Sequence, residues 1–263
     1  MDRSLARRLE QTEGAVCASY TEAQRQQPDG PGATWHNFEG TYAIFDGADS
    51  PLTQTFGLGV GNPVTGEVLS AIEQFFATRG VAVMHEVSPL AGAELSATLA
   101  DRGYRPIEHS TVLVQDITAC VDAPSSSLRV RIIEDEDRAA WIEASVAGWS
   151  ADPVSPLVRS MAERSSANRA LTHFVAEHDG APIATGSMGV HDGVALLSGA
   201  STIPSARGLG AQAMLLAARL AEGRRRGCAL AMMATEPGST SQRNAERRGF
   251  RVAYSRTKWR GTW

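Results

Sequence analysis

Apolar residues along the chain recur at two spacings, and the alternation between them predicts a mixed run of helices and strands. Ser4–Gln26 carries Leu5, Leu9, Val16 and Tyr20 on a helical stripe, and the proline- and glycine-rich stretch 28–32 stops it. Strands follow at Thr41–Phe45 and Leu52–Val60. Gly66–Thr78 returns to helical spacing with Val68, Leu69, Ile72, Phe75 and Phe76. Val81–Val87 reads as a strand, Leu90–Arg102 as a helix, and Ile107–Gln115 as a strand. Residues 121–127 have linker composition, and periodicity resumes at Leu128.

The second stretch opens with a strand at Val130–Ile133 and helices at Asp137–Trp149 and Pro156–Arg164. His173–Glu177 and Ile183–Val190 form a hairpin about Asp179–Gly180, a strong turn pair. A strand from Val194 then runs into Ser201–Thr202–Ile203–Pro204–Ser205–Ala206–Arg207–Gly208–Leu209–Gly210, ahead of a helix over Ala211–Gly223. Ala229–Thr235 is a strand, Ser241–Arg248 a short helix, and Val252–Trp259 the last strand. The two stretches share an order of marks. Pro63, Arg79–Gly80, Pro89 and Gly103–Tyr104 answer Pro204, Arg226–Gly227, Pro237 and Gly249–Phe250. This predicts an α/β chain of two similar domains, 1–120 and 128–263, joined by 121–127, each a mixed sheet flanked by helices. The first copy is shorter between Pro63 and Gly80, and Asn62–Gly66 offers neither an arginine nor Gly-x-Gly.

The turn at Arg207–Gln212 carries the chemistry. A strand-to-helix turn leaves the first amides of the helix unpaired at the positive end of its dipole, a site for phosphate. Glycines let the backbone take positive φ and admit a bulky anion.

Composition narrows the class. The 263 residues are 43% hydrophobic and 21% charged, those of a globular chain, and no window approaches a membrane span. Met1–Arg8 lacks the apolar core of a signal peptide, and Cys17, Cys120 and Cys228 are scattered, so a reducing cytoplasm is expected and a zinc site is not. Residues 1–127 hold 7 basic and 16 acidic side chains, and residues 128–263 hold 18 and 13, within a net charge of −4. The halves either dock through this asymmetry, or the basic half holds an anionic co-substrate while the acidic half, with Thr34–Phe38 as a loop, faces a cationic acceptor. No basic stripe with interleaved aromatics points to nucleic acid. His85–Glu86 lacks the second histidine of a zincin helix, and no Gly-x-Ser-x-Gly elbow occurs.

The segment Arg207–Gly208–Leu209–Gly210–Ala211–Gln212, after Pro204 and ahead of helix, strand, helix, Gly249–Phe250 and strand, resembles the acyl-CoA-binding motif of the GCN5-related N-acetyltransferases. The family loop reads Arg/Gln-x-x-Gly-x-Gly/Ala, and Gln212 stands where it has a small residue. The resemblance covers about Val130–Trp259, and the first half resembles a degenerate copy. It implies acetyl-CoA as co-substrate, its pantetheine arm along Ser201, Thr202 and Ile203, and its pyrophosphate on Arg207, Gly208, Leu209, Gly210, Ala211 and Gln212. It implies direct attack by a small-molecule or peptide amine, with no metal and no acyl-enzyme. It also places Ser241 and Asn244 on a helix beside the cofactor, as cap and hydrogen-bonding partner. The tyrosine that protonates the leaving thiolate in many members is Ala245 here, so Tyr254 becomes the substitute acid and Glu236, at the end of a strand, the general base.

Two other readings compete. Gly208–Leu209–Gly210–Ala211–Gln212–Ala213 also satisfies the dinucleotide fingerprint Gly-x-Gly-x-x-Ala, with Glu236 at the distance of a ribose-binding acid. The chain after Glu236 is too short for the further βα units an NAD-dependent oxidoreductase needs. The absent tyrosine and the incomplete first copy suit a non-catalytic acyl-CoA sensor or scaffold. A homodimer is compatible with all of these.

Overall fold

The computed structural model describes residues 2–25, 32–119, 127–149 and 155–262. In chain order it contains α1 (Arg3–Arg25), β1 (Thr34–Phe38), β2 (Thr41–Phe45), β3 (Gln54–Phe56), α2 (Gly66–Ala77), β4 (Met84–Val87), α3 (Ala93–Asp101) and β5 (Arg105–Asp116). There follow β6 (Arg129–Ile132), α4 (Arg138–Trp149), α5 (Pro156–Ala167), β7 (Leu171–His178), β8 (Ala181–His191), β9 (Val194–Thr202), α6 (Ala211–Arg225), β10 (Leu230–Thr235), α7 (Thr240–Glu246) and β11 (Arg251–Arg260). The expected linker 121–127 lies outside the described residues except for Ser127.

The chain divides into two units, Met1–Val114 with Ala234–Trp263, and Gln115–Met233. Residues 115–120, expected in the first domain, fall in the second unit, and the C-terminal segment joins the first. The reason is a backbone ladder. Within that unit the strands run β1-β2-β3-β4-β11-β5, and β11 pairs antiparallel with β4 on one side and β5 on the other. β11 pairs with β5 from Arg251 to Arg260 and with β4 from Thr257 to Arg260, so ladder bonds hold it in this sheet. Ala43, Leu58, Leu69, Ile72, Phe76, Val87, Leu95, Leu99 and Tyr104 form the larger core of this unit. Cys17, Ala18, Ile44 and Phe56 form a second one under α1. Thr34–Phe38, expected as a loop, is an antiparallel strand on β2, with the Trp35 indole N–H donating to Glu22 Oε1 at 2.8 Å. Leu52–Val60 keeps only Gln54–Phe56 as strand.

The second unit orders its strands β10-β9-β8-β7-β6, antiparallel except for the parallel pair β10–β9. Neighbouring residues of β8 point to opposite faces. Ser187 meets His173, which packs edge-on against Trp141 of α4. Gly186 meets Arg219 of α6. The sheet is therefore covered by α4 on one face and α6 on the other. Both helices press close through glycine. A Cβ on Gly223 would lie 3.0 Å from Ala195 Cβ, and one on Gly148 would lie 2.5 Å from Ser201 Oγ. Gly148 seats the last turn of α4 against the end of β9.

Candidate functional site

The turn expected to take phosphate is built by two glycines and an open helix end. Gly208 and Gly210 have φ of +88° and +84°, the left-handed region that favours glycine. A Cβ on either would meet nothing within 4 Å, so the backbone there faces open space. Gly210 caps α6 with no side-chain hydrogen bond, and the helix ladder begins only with the amides of Ala213 and Met214 bonding to the Gly210 carbonyl. The amides of Gly210, Ala211 and Gln212 are thus left at the positive end of a 15-residue helix. Arg207, Gly208, Leu209 and Gly210 are all exposed. This backbone fits an anionic phosphate ester.

Gln212 accounts for its own departure from a small residue. Its side-chain Nε2 donates to Ser201 O and to Thr202 Oγ1, each at 2.8 Å, and so ties the first turn of α6 to the end of β9. Three groups expected along the pantetheine arm are committed by this and related bonds. The Ser201 carbonyl accepts from Gln212, its hydroxyl donates to Ser145 O at 3.2 Å, and the Ile203 amide donates to Ile183 O at 3.0 Å. Thr202 and Ile203 remain partly exposed, whereas Ser201 is buried.

The open backbone lies earlier on β9. Its parallel register with β10 covers only Val194, Ala195 and Leu196, and β9 continues for six residues beyond. On the β8 side the register jumps from Ser187↔Ser198 to Thr185↔Ser201, leaving Gly199 and Ala200 together opposite Gly186. This is a β-bulge, and it leaves a residue out of the ladder. Gly199 sits at φ +60° and is the exposed residue of β9.

The corresponding turn in the first unit is closed. Thr65 caps α2 and its hydroxyl accepts from the Val68 amide at 3.2 Å. The backbone after β3 is held by α1: Arg3 donates to the carbonyls of Gly59 (2.8 Å) and Val60 (3.0 Å), and Glu10 Oε2 accepts from the Gly57 amide at 3.2 Å. The helix end and strand end that stay open in one unit are satisfied internally in the other.

The remaining sequence candidates, Glu236, Ser241, Asn244 and Tyr254, all belong to the first unit. Glu236 directly follows β10 and is exposed, with no hydrogen bond or ion pair to its carboxylate among the described residues. Ser241 is exposed and does not cap α7. Ser239 does, accepting from the Gln242 amide. Asn244 is exposed, and its Oδ1 accepts from Arg247 at 3.0 Å. Ala245, where the family places its tyrosine, is buried.

Tyr254 is committed elsewhere than the role expected of it. Its phenol donates to Glu10 Oε1 at 2.8 Å in a buried cluster centred on Arg256. Arg256 Nη1 lies 2.6 Å from Glu13 and 3.5 Å from Glu10, and Nε lies 3.3 Å from Glu86. Burial, then the neighbouring Glu10 charge, push the Tyr254 hydroxyl well above its ordinary range. Burial likewise raises the Glu10 carboxyl. A phenol this reluctant to ionise, aimed at a carboxylate of α1, is a strut.

Sequence reasoning missed two features of the second unit. Arg219 lies on the buried stripe Ala211–Leu215–Arg219–Gly223 of α6, where a spacing of four residues gave the signal. His173 Nδ1 meets Ser187 Oγ at 2.9 Å inside the sheet, and burial lowers its pKa to about 4.

A short parallel strand pair, a bulge and an open glycine turn at a helix start together mark the second unit. Residues 132–250 match the model of the acetyltransferase (GNAT) family. No curated protein matches the chain. Among solved structures the chain is similar to a GCN5-related N-acetyltransferase from Kribbella flavida, at 15% identity, 95% coverage of both chains and a TM-score of 0.66. It is also similar to a tandem GNAT protein from the clavulanic acid biosynthesis pathway, at 15% identity, covering 92% of this chain and 87% of that one, with a TM-score of 0.61. A GCN5-related N-acetyltransferase from Sphaerobacter thermophilus shows 18% identity, coverage of 95% and 91%, and a TM-score of 0.58. The fold is thus that of the GNAT proteins. No helix among the described residues is long and apolar enough to cross a membrane.

Proposed function

We propose that this chain is an N-acetyltransferase that uses acetyl-CoA and takes its pyrophosphate at one place, the glycine turn before α6. The observation that carries the reading is the contrast between two helix ends: Gly210 leaves α6 open, whereas Thr65 closes α2 with its own hydroxyl. The amides of Gly210, Ala211 and Gln212, with Arg207, take the pyrophosphate. Unpaired β9 backbone beyond Leu196 takes the pantetheine arm, which brings the acyl end to the Gly199–Ala200 bulge. Ser201 and Ile203 shape this path rather than pair with the arm, since their backbone groups are already bonded.

The acceptor is an amine. Its nitrogen attacks the thioester carbon, the C–S bond breaks, and the proton lost by nitrogen passes to a base while the thiolate takes one up. Glu236, exposed and unpaired, is the proposed base. Positioning of the amine supplies much of the rate, because a bound pair reacts as one molecule. Ser241 and Asn244 are proposed to bind the co-substrate through exposed polar groups. The acidic balance of the first 127 residues favours a cationic acceptor, small molecule or peptide.

A second reading, a non-catalytic acyl-CoA sensor, is favoured by one observation: Ala245 is buried and Tyr254 donates to Glu10, so neither supplies an acid to the thiolate. Release of CoA thiol across a panel of amines separates the two. The enzyme reading predicts acceptor-dependent thiol release that Glu236→Gln reduces about a hundredfold, within the usual range for a general base. Tight acetyl-CoA binding with no release on any amine contradicts it and supports the sensor.

A further inference from the structure

Arg219 is a cation in the wrong place for stability. It is 3% exposed, fully enclosed between α6 and the sheet, and makes no ion pair among the described residues. Burial alone draws its pKa down to about 10. Its acceptors are all peptide carbonyls: Leu215 O at 3.2 Å from Nε, and Ser187 O and Ser198 O, each 3.5 Å from Nη1. The strand opposite is cut away to admit it. A Cβ on Gly186 would lie 3.1 Å from the guanidinium carbon and 3.2 Å from Nη1. An unpaired buried charge is among the costliest things a core can hold, and an apolar residue of similar size is commonly neutral or stabilising there. A residue that breaks the packing rule so plainly points to function.

The location supplies the function. Ser198 and Gly199 share the peptide unit at the β9 bulge, and Gly186 lies opposite it. In a trans peptide the C=O and N–H point in opposite directions. A cation against the Ser198 carbonyl therefore draws electron density from the Gly199 N–H, which points away from it on the exposed residue of the strand. Hydrogen bonds in series polarise one another, and more so where water is excluded.

We infer that Arg219 is a positioning residue that acts through the Ser198–Gly199 peptide, sharpening the Gly199 N–H as a donor to the acyl oxygen of a bound thioester. The inference rests on the acyl-CoA reading above. It makes the bulge an electrostatic device aimed at negative charge developing on that oxygen, where preorganised donors contribute most.

The test compares wild type with Arg219→Met, which keeps the bulk and removes the charge, and Arg219→Lys, which keeps a charge. Gly186→Ala is a further variant, displacing the guanidinium while retaining it. Each is measured for apo thermal midpoint, for acetyl-CoA affinity, and for the infrared carbonyl stretch of bound acetyl-CoA carrying carbon-13 at the thioester carbonyl. The expected result is unchanged affinity throughout, with an unchanged or raised midpoint in Arg219→Met. The carbonyl stretch lies at lower wavenumber in wild type and Arg219→Lys than in Arg219→Met and Gly186→Ala. With an acceptor in hand, Arg219→Met turns over about tenfold more slowly, less than the loss on removing an oxyanion donor outright. A carbonyl stretch identical in wild type and in whichever of Arg219→Met and Gly186→Ala binds acetyl-CoA overturns the inference alone. Failure of the wild type to bind acetyl-CoA overturns the acyl-CoA reading and this inference with it.

Discussion

At the scale of single residues, the two units differ by what caps a helix and what holds a strand end. Thr65 satisfies an amide that Gly210 leaves open, and a side-chain cap of this kind stabilises its helix by about 1 kcal/mol. Tyr254 belongs to the same class of argument. Its removal strips Glu10 Oε1 of a donor in a buried setting, so Tyr254→Phe is expected to cost about 1–3 kcal/mol in urea unfolding. It should leave CoA release at saturating substrate unaltered. Unchanged stability with a large loss of turnover would return Tyr254 to the chemistry. Gln212→Ala removes the two bonds to Ser201 O and Thr202 Oγ1 and frees the first turn of α6 from β9. The expected outcome is weaker acetyl-CoA binding, about tenfold by calorimetry for the loss of one or two buried hydrogen bonds. Unaltered binding would show that the tie does not set the turn.

At the scale of elements, β11 is the piece whose place local patterning could not reveal. Its alternation marks Arg251–Arg260 as a strand, but alternation does not name the strands on either side, and β4 and β5 are distant in sequence. Arg256 gives the reason it stays there. Its guanidinium sits 2% exposed among Glu10 and Glu13 of α1 and Glu86 of β4. Arg256→Met leaves those carboxylates buried without their cation and is expected to cost about 3–5 kcal/mol, read as a lower urea midpoint. An unchanged midpoint would mean that the strand is held by its ladder alone. The glycine turn before α6 was legible because glycine spacing and helix periodicity are both local. Thr34–Phe38 was not, because no residue of its short strand is buried and it carries little apolar alternation. Gly199 within a strand was a readable sign of a bulge. Arg219 was harder, since one charge in a helical stripe looks like a surface position until the sheet is placed against it.

At the scale of the whole molecule, each unit carries a neutral histidine in its interior. Burial lowers the pKa of His85 to about 3 and of His173 to about 4, against about 6.5 for a free imidazole. The unfolded chain therefore binds more protons than the folded chain between about pH 6.5 and those lower values. Stability falls as pH drops through that window and is independent of these groups above it. His85→Asn, whose side chain can still meet Thr55, should flatten the acid limb of a Tm–pH profile, and an unaltered limb would show that His85 already ionises in the folded protein.

The central claim is that one acyl-CoA binds per chain, at the open glycine turn. Isothermal titration of acetyl-CoA into wild type and Gly210→Asp tests it most directly. A carboxylate at that position sets negative charge against a pyrophosphate while leaving the core of the unit untouched. The expected result is one site per chain in the wild type and no measurable binding by a folded Gly210→Asp. Two sites per chain, or wild-type affinity in the variant, would contradict the account.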